Sequence, residues 1–203
     1  ERHYYQPAWT LVGGGAFDLA ATVRAQASVI PSGVQWLRDA VASIDPERST
    51  LHTRGGDEIG YEQLVMAPGI QLNWDAIPGL RETLGKDGVC SNYSFDTVSK
   101  TWEFIQATRS GPAVFTHPAT PIKCGGAPQK IMDLACDYWR RQGRLKDIPV
   151  IFGIATPEIF AVPRYAGPLV QVAARYGVDV RYKHDLKEVR PHSREAVFRV
   201  VDG

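Results

Sequence analysis

Residues 113–182 read AVFTHPATPIKCGGAPQKIMDLACDYWRRQGRLKDIPVIFGIATPEIFAVPRYAGPLVQVAARYGVDVRY, and the alternation within them decides the fold. Ala113-Val114-Phe115-Thr116 is a short apolar run of strand length and composition. A helix is predicted from Pro128, whose fixed φ suits a first helical turn. It would bury Ile131, Leu134, Ala135 and Tyr138, carry Arg140-Arg141 at its negative end and stop at Gly143. Val150-Ile151-Phe152 then reads as a strand, Tyr165 to Tyr176 as a helix closed by Gly177, and Val178 to Tyr182 as another strand. A β-α-β-α-β order implies a parallel sheet covered by helices, an α/β fold.

Upstream, Asp96 to Thr108 carries Val98, Trp102 and Ile105 at helical spacing and ends at Ser110-Gly111-Pro112. The segment from Pro78-Gly79-Leu80 to Asp87-Gly88 is punctuated like a linker, which places a boundary between two lobes near residue 85. Leu51 and Thr53, the Gly55-Gly56 turn, then Ile59 and Tyr61 follow the pattern of a β-hairpin within a small β-meander. Val34, Leu37 and Val41 after Pro31-Ser32-Gly33 predict a short helix, and Leu64-Val65-Met66-Ala67 a buried run ending at Pro68-Gly69. Gly13-Gly14-Gly15 does not extend to a phosphate-binding fingerprint, because Asp18 occupies the sixth position, and it reads as a flexible loop. Tyr4, Tyr5, Trp9, Trp36 and Trp74 suit either a planar-ligand pocket or a core.

Composition bounds the function. The 203 residues are 44% hydrophobic and 22% charged, with 23 Lys+Arg against 22 Asp+Glu, a net charge of +1. This is ordinary globular composition and carries no electrostatic footprint for nucleic acid. No run of 18 apolar residues exists to span a bilayer. The opening Glu1-Arg2-His3 and the stop just after a strand-like run suggest an internal fragment. Cys90, Cys124 and Cys136 form no C-x-x-C pair and no zinc-type spacing, so no metal centre is expected.

Cys124 lies just upstream of the predicted helix start at Pro128, where unpaired N–H groups and the helix dipole favour an anion. Lys123 and Lys130 add positive charge, and Gly125-Gly126 lets the backbone approach a ligand closely. A reactive thiolate at Cys124 is therefore expected. Cys136, inside the helix, reads as a packing residue, whereas Cys90 is either structural or a neighbour of Cys124 in space. Among five histidines, only His117 lies near the cysteine loop, and its position signals a Cys–His pair only weakly.

Three segments carry a family resemblance: His3-Tyr4-Tyr5-Gln6-Pro7 through Trp9-Thr10-Leu11-Val12-Gly13, Ala27 through Val34, and Pro121-Ile122-Lys123-Cys124-Gly125-Gly126-Ala127-Pro128-Gln129-Lys130. With Ser91-Asn92-Tyr93-Ser94 and Glu195-Ala196-Val197-Phe198, the chain resembles the sulfide:quinone oxidoreductases, in the branch that includes the mitochondrial enzyme. The resemblance implies an incomplete, two-lobed FAD/NAD(P)-binding (Rossmann-like) fold. Residues 1–84 would form part of the FAD-binding lobe including the β-meander, and 85–203 a second dinucleotide-binding-type lobe carrying the redox cysteine.

The resemblance further implies FAD as cofactor, sulfide oxidised at a cysteine, a small-molecule sulfur acceptor, and electrons delivered to a membrane quinone. Cys124 matches the family cysteine that carries the persulfide. Gln6 and Val41 match FAD-contacting positions, and Ala67-Pro68-Gly69 the strand-end turn that passes the cofactor. Peripheral attachment to a bacterial cytoplasmic or mitochondrial inner membrane is inherited from the family, and the Gly-rich FAD fingerprint and partner cysteine would lie outside the chain. Two other readings stand beside it. One is another two-lobed flavin reductase of the type II NADH dehydrogenase kind, against which the prolines and cysteine after Thr116 argue, because nicotinamide binding needs a Gly-rich turn there. The other is a non-enzymatic sulfane-sulfur or redox-binding module.

Overall fold

A computed structural model describes residues 1–201. The chain forms two compact units, one of residues 1–3 and 24–71, the other of residues 4–23 and 72 onward. Strand β1 (Arg2–Tyr4) is followed by the short helix α1 (Trp9–Gly13) and by β2 (Val23–Ala25), which pairs with β1.

In the first unit, β3 (Val41–Asp45), β4 (Thr50–Thr53) and β5 (Glu58–Gly60) form an antiparallel meander. The hairpin is the one the glycines predicted. Leu51 faces Ile59, Thr50 faces Gly60, and Gly56 takes a φ of +97° that suits it to the turn. Asp39 braces the entry to the meander, accepting from the N–H groups of Ala40 and Gly55, each at 2.7 Å.

The helix expected over Val34–Val41 is absent. Val41 instead begins β3, and Val34 and Leu37 are exposed. Three apolar residues at helical spacing do not make a helix without a face to bury, and Asp39 at the strand entry fixes an extended course. The run Leu64–Ala67 is likewise neither strand nor buried: Val65 is 90% and Met66 66% exposed, and the run has no ladder partner among the described residues.

The second unit holds α2 (Leu80–Thr83), α3 (Val98–Ala107), β6 (Ala113–His117), α4 (Ala127–Arg141), β7 (Val150–Ile154), α5 (Pro163–Arg175) and β8 (Asp179–Tyr182). A hairpin of β9 (His184–Arg190) and β10 (Glu195–Val200) follows. Strands β6, β7 and β8 are adjacent in that order and parallel, with Phe115 beside Phe152 and Phe152 beside Val180. Central β7 buries Val150, Phe152 and Ile154 on one face, and on the other the buried Gly153 lies against Phe198 of β10.

Helix α4 turns Ile131, Met132, Ala135, Cys136 and Trp139 into the core, while Leu134 and Tyr138, expected inside, flank that stripe half-buried. Each large side chain so buried contributes about 1.5–3 kcal/mol. The Trp139 indole also donates to the Ile105 carbonyl at 2.8 Å, tying α4 to α3.

Two more expectations are corrected. Gly13-Gly14-Gly15 is not a flexible loop: Gly13 ends α1, and a Cβ on each glycine would fall 2.4–2.5 Å from Asn92, Leu134 or Trp102. Their smallness lets α1 lie against α3 and α4. The segment 78–88 is not a free linker either. Gly79, at φ +79°, brings its backbone so close to β9 that a Cβ would lie 1.8 Å from the Val189 carbonyl oxygen, and Val189 N–H donates to the Pro78 carbonyl at 2.9 Å.

Candidate functional site

Strand β6 ends at His117, and the loop 118–126 leads from the carboxyl edge of the parallel sheet to the start of α4. That edge is where open α/β sheets place ligands. The His117 carbonyl is held by the Ala155 N–H at 3.0 Å, which fixes the start of the loop to the end of β7. At the other end, the Cys124 carbonyl accepts from the Ala127 N–H at 3.1 Å. Gly126 caps α4 without a side-chain hydrogen bond, and Pro128 contributes no N–H. The positive end of a four-turn helix thus stands immediately behind Cys124, as the sequence predicts.

The three cysteines differ sharply. All are free thiols, but only Cys124 is exposed. Burial pushes the Cys136 thiol up to about 12, with the Asp133 carboxylate adding to the effect. Burial also raises the Cys90 thiol, a shift tempered by the Thr101 hydroxyl. Of the three thiols, Cys124 alone is open to solvent, at the start of α4.

Gln6 is brought to the same place from far away in the sequence. It opens the turn before α1, and its Oε1 accepts from Lys123 Nζ at 2.5 Å, joining positions 117 residues apart. No local signal in the sequence announces that bond. In the loop between α2 and α3 the Tyr93 hydroxyl is buried without a hydrogen-bond partner, and at the end of β6 His117 Nδ1 is likewise unpartnered. Burial, with the Cys124 sulfur as a secondary influence, raises the Tyr93 phenol. Burial lowers His117 below the usual imidazole range, although backbone carbonyls partly oppose this. Tyr93 carries no distinctive spacing of its own.

Gly125 and Gly126 meet only the Phe160 ring, at 3.6 and 3.8 Å from an added Cβ. They keep the loop slim rather than relieve a clash.

The remaining sequence-predicted residues lie in the first unit. Val41 opens β3 with its side chain 52% exposed. It follows a shallow groove formed in part by Trp36, Arg38 and Arg54, where the Arg38 guanidinium sits 4.6 Å over the Trp36 ring. Ala67, Pro68 and Gly69 are exposed, and Gly69 takes a φ of +77°. Of the aromatics considered as pocket lining, Trp9 is buried, with its indole donating to Thr22 Oγ1 at 3.2 Å, so it is a core residue. Among the described residues no cluster of three His, Cys, Asp or Glu is arranged to hold a metal ion, and no helix is long and apolar enough to cross a membrane.

Comparison with known proteins follows the same lines. No family model matches the chain. Curated relatives do: mitochondrial sulfide:quinone oxidoreductase of Mus musculus is 48% identical over 202 residues, all of this chain and 45% of that protein. The Dictyostelium discoideum protein of the same name is 44% identical over 204 residues, again 100% of this chain and 45% of its own length. The chain therefore spans somewhat less than half the length of the curated relatives it matches.

Among solved structures, sulfide:quinone oxidoreductase from Aquifex aeolicus superposes with a TM-score of 0.71 at 17% identity, covering 98% of this chain and 48% of that one. A ferredoxin reductase from Rhodopseudomonas palustris gives a TM-score of 0.54 at 16% identity, over 95% of this chain and 44% of the other. These likenesses carry the fold alone, an α/β architecture.

Proposed function

We propose that this chain, a relative of the mitochondrial sulfide:quinone oxidoreductases along its whole length, is the part of such an enzyme that bears its sulfur-carrying cysteine. On this reading residues 1–84 contribute to an FAD-binding lobe and residues 85–203 form the second lobe. The observation that carries it is Cys124: the exposed thiol among three, set before the N-terminus of α4, with Lys123 beside it held on Gln6.

The residues present fit a flavin. Lys123 and Gln6 offer polar groups at an accessible edge next to the thiol, and the open turn at Gly69 has the positive φ that lets backbone pass close to a ligand. Gln6, Val41, Ala67, Pro68 and Gly69 would hold FAD. When bound, FAD would supply the two-electron acceptor that cysteine chemistry alone lacks.

This chain's own contribution is sulfur chemistry. Hydrosulfide attacks a disulfide of which Cys124 is one member, so that one S–S bond forms as another breaks. One cysteine is left as a persulfide and the other as a thiolate. Transfer of the outer sulfur to a small nucleophilic acceptor leaves two thiolates, and their closure to the disulfide releases two electrons. The positive end of α4 and Lys123 stabilise the sulfur anion at Cys124 during these steps. The electrons pass onward to a quinone. Access to that quinone would come through peripheral attachment to a membrane, the mitochondrial inner membrane being favoured over a bacterial one by the names of the relatives.

The test is anaerobic titration of the full-length flavoprotein with sulfide, following flavin absorbance, beside a Cys124→Ser variant. Bleaching that disappears in the variant is expected. Equal bleaching in both would remove Cys124 from the mechanism. A flavin left oxidised by sulfide but bleached by NADH would favour a nicotinamide-linked reductase, and absence of bound flavin a sulfur-binding module.

A further inference from the structure

Helix α4 carries, beside its apolar stripe, a polar flank that the sulfur chemistry does not use. Gln129, Asp133 and Cys136 stand at i, i+4 and i+7, so they follow one another along one side of the helix. Gln129 is 2% exposed and Cys136 is fully buried. The flank faces α5: the Gln129 side chain donates from Nε2 to the Leu169 carbonyl at 3.5 Å, and Leu169 and Ala173 pack into the same core as α4.

The hydrogen bonding on this flank is one proton short. A carbonyl can only accept, so the contact with Leu169 fixes the Gln129 amide with its nitrogen towards α5 and its Oε1 away from it. That Oε1 is sealed from solvent without a donor, and so is Asp133 Oδ1 one turn further along the helix. Side chains four apart in a helix start about 5–6 Å from each other at Cβ, the spacing at which Gln and Asp join by a hydrogen bond. Two buried acceptors at that spacing lack only a donor, and native structures rarely leave such groups unsatisfied. A protonated carboxyl supplies the missing O–H. We propose that Asp133 in its acid form donates to Gln129 Oε1, completing a latch that runs from α4 through the Gln129 amide to the Leu169 carbonyl of α5 and opens when the carboxyl ionises.

The surroundings suit a carboxyl that changes state near neutral pH. Burial pushes Asp133 up to about 6, against the pull of Arg175 at the end of α5. Burial first, and the carboxylates of α4 with it, raises the Cys136 thiol and the Tyr176 phenol just after α5, so both stay neutral. Arg140 is engaged with Asp137 at 2.7 Å. Of the other elements against α4, α1 and β7 carry no charged side chain, and β6 carries only His117, which burial holds below the usual imidazole range. On α3, Lys100 and Glu103 pair with each other, and the turn after α4 carries Arg144 with the exposed Lys146 and Asp147. Because the folded protein holds this proton more tightly than the unfolded chain, the latch is closed at low pH and opens as pH rises through about 6. Gln129 lies in the first turn of α4, so the latch sets how firmly that turn is seated on α5.

The test is hydrogen exchange read by mass spectrometry on the full-length flavoprotein at pH 5 and pH 8, each rate being divided by that of the unstructured peptide. In the wild type, protection of the first two turns of α4 and of the peptide around Leu169 should fall about tenfold between the two, the loss of one hydrogen bond. Asp133→Asn, whose amide N–H replaces the acid O–H, should keep at pH 8 the protection that the wild type has at pH 5. Asp133→Leu removes the charge but offers no donor, and should be about tenfold less protected than Asp133→Asn at both pH values. The meander β3 to β5 should not respond. Protection in Asp133→Leu equal to or above that in Asp133→Asn would assign the effect to the buried charge alone and overturn the proposal. Wild-type protection that is the same at both pH values, an Asp133→Asn variant as loose at pH 8 as the wild type, or an equal change over the meander would overturn it as well.

Discussion

Replacing Gly79 with alanine tests whether segment 78–88 is part of the second unit or a spacer. Two costs add at this position. Alanine at φ +79° pays for left-handed backbone, about 1 kcal/mol. The new Cβ would also lie 1.8 Å from the Val189 carbonyl oxygen, which is backbone and has no rotamer to escape into. Strand β9 must move, straining its packing by about 1–3 kcal/mol. It also loses the Val189 N–H to Pro78 hydrogen bond, worth about 1 kcal/mol. Gly88→Ala is the control, since Gly88 has φ +81° but nothing within 4 Å of an added Cβ. It should cost only the backbone term of about 1 kcal/mol.

The difference between the variants, about 2–4 kcal/mol by these terms, should appear in urea denaturation of the full-length protein as a midpoint lower by about 1 M or more. Amide exchange at Val189 should accelerate in Gly79→Ala alone. If the two variants unfold within about 0.5 kcal/mol of each other and Val189 stays protected, the claim that β9 is seated on Gly79 is wrong.

Two further outcomes follow from the site and the core. Brief alkylation of the native protein near neutral pH should label Cys124 and spare Cys136 and Cys90, which react fully only after denaturation; labelling of Cys136 at the rate of Cys124 would contradict the buried placement of α4. Asp133 is pushed up to about 6, mainly by burial and against the pull of Arg175. Its folded state therefore binds the proton more tightly than the unfolded one, and this residue's contribution to stability falls as pH rises from about 4 to about 6. Asp133→Asn should raise stability at pH 7 by about 1–2 kcal/mol, allowing for partial solvent screening, and remove that slope; an unchanged wild-type-minus-variant difference from pH 4 to pH 7 would refute it.

The second unit was the legible part of the sequence. From Val98 to Tyr182, period, caps and breakers agree with one another, and local signals suffice for α3, β6, α4, β7, α5 and β8. The hairpin at Gly55-Gly56 was legible for the same reason. Elsewhere the signals were long-range. Gly13, Gly14 and Gly79 are small because of what packs on them, and their partners Asn92, Leu134 and Val189 lie far along the chain. Val34, Leu37, Val65 and Met66 mislead in the opposite way: apolar residues suggest burial, but these are exposed. At the candidate site, the helix start behind Cys124 was legible from Pro128 and the glycines before it. The Lys123–Gln6 bond and the buried Tyr93 hydroxyl belong to tertiary structure and leave no mark in spacing.

The second unit is built from two separated stretches, with residues 24–71 folding as part of the other unit between them. During synthesis, α1 precedes α3, against which it packs through Trp9 and Val12, by about 90 residues. At roughly 5–20 residues per second, that is a wait on the order of ten seconds. The meander is made of contacts close in sequence and needs no such delay, whereas the bond between Gln6 and Lys123 joins positions 117 residues apart and closes only after the whole intervening chain is made.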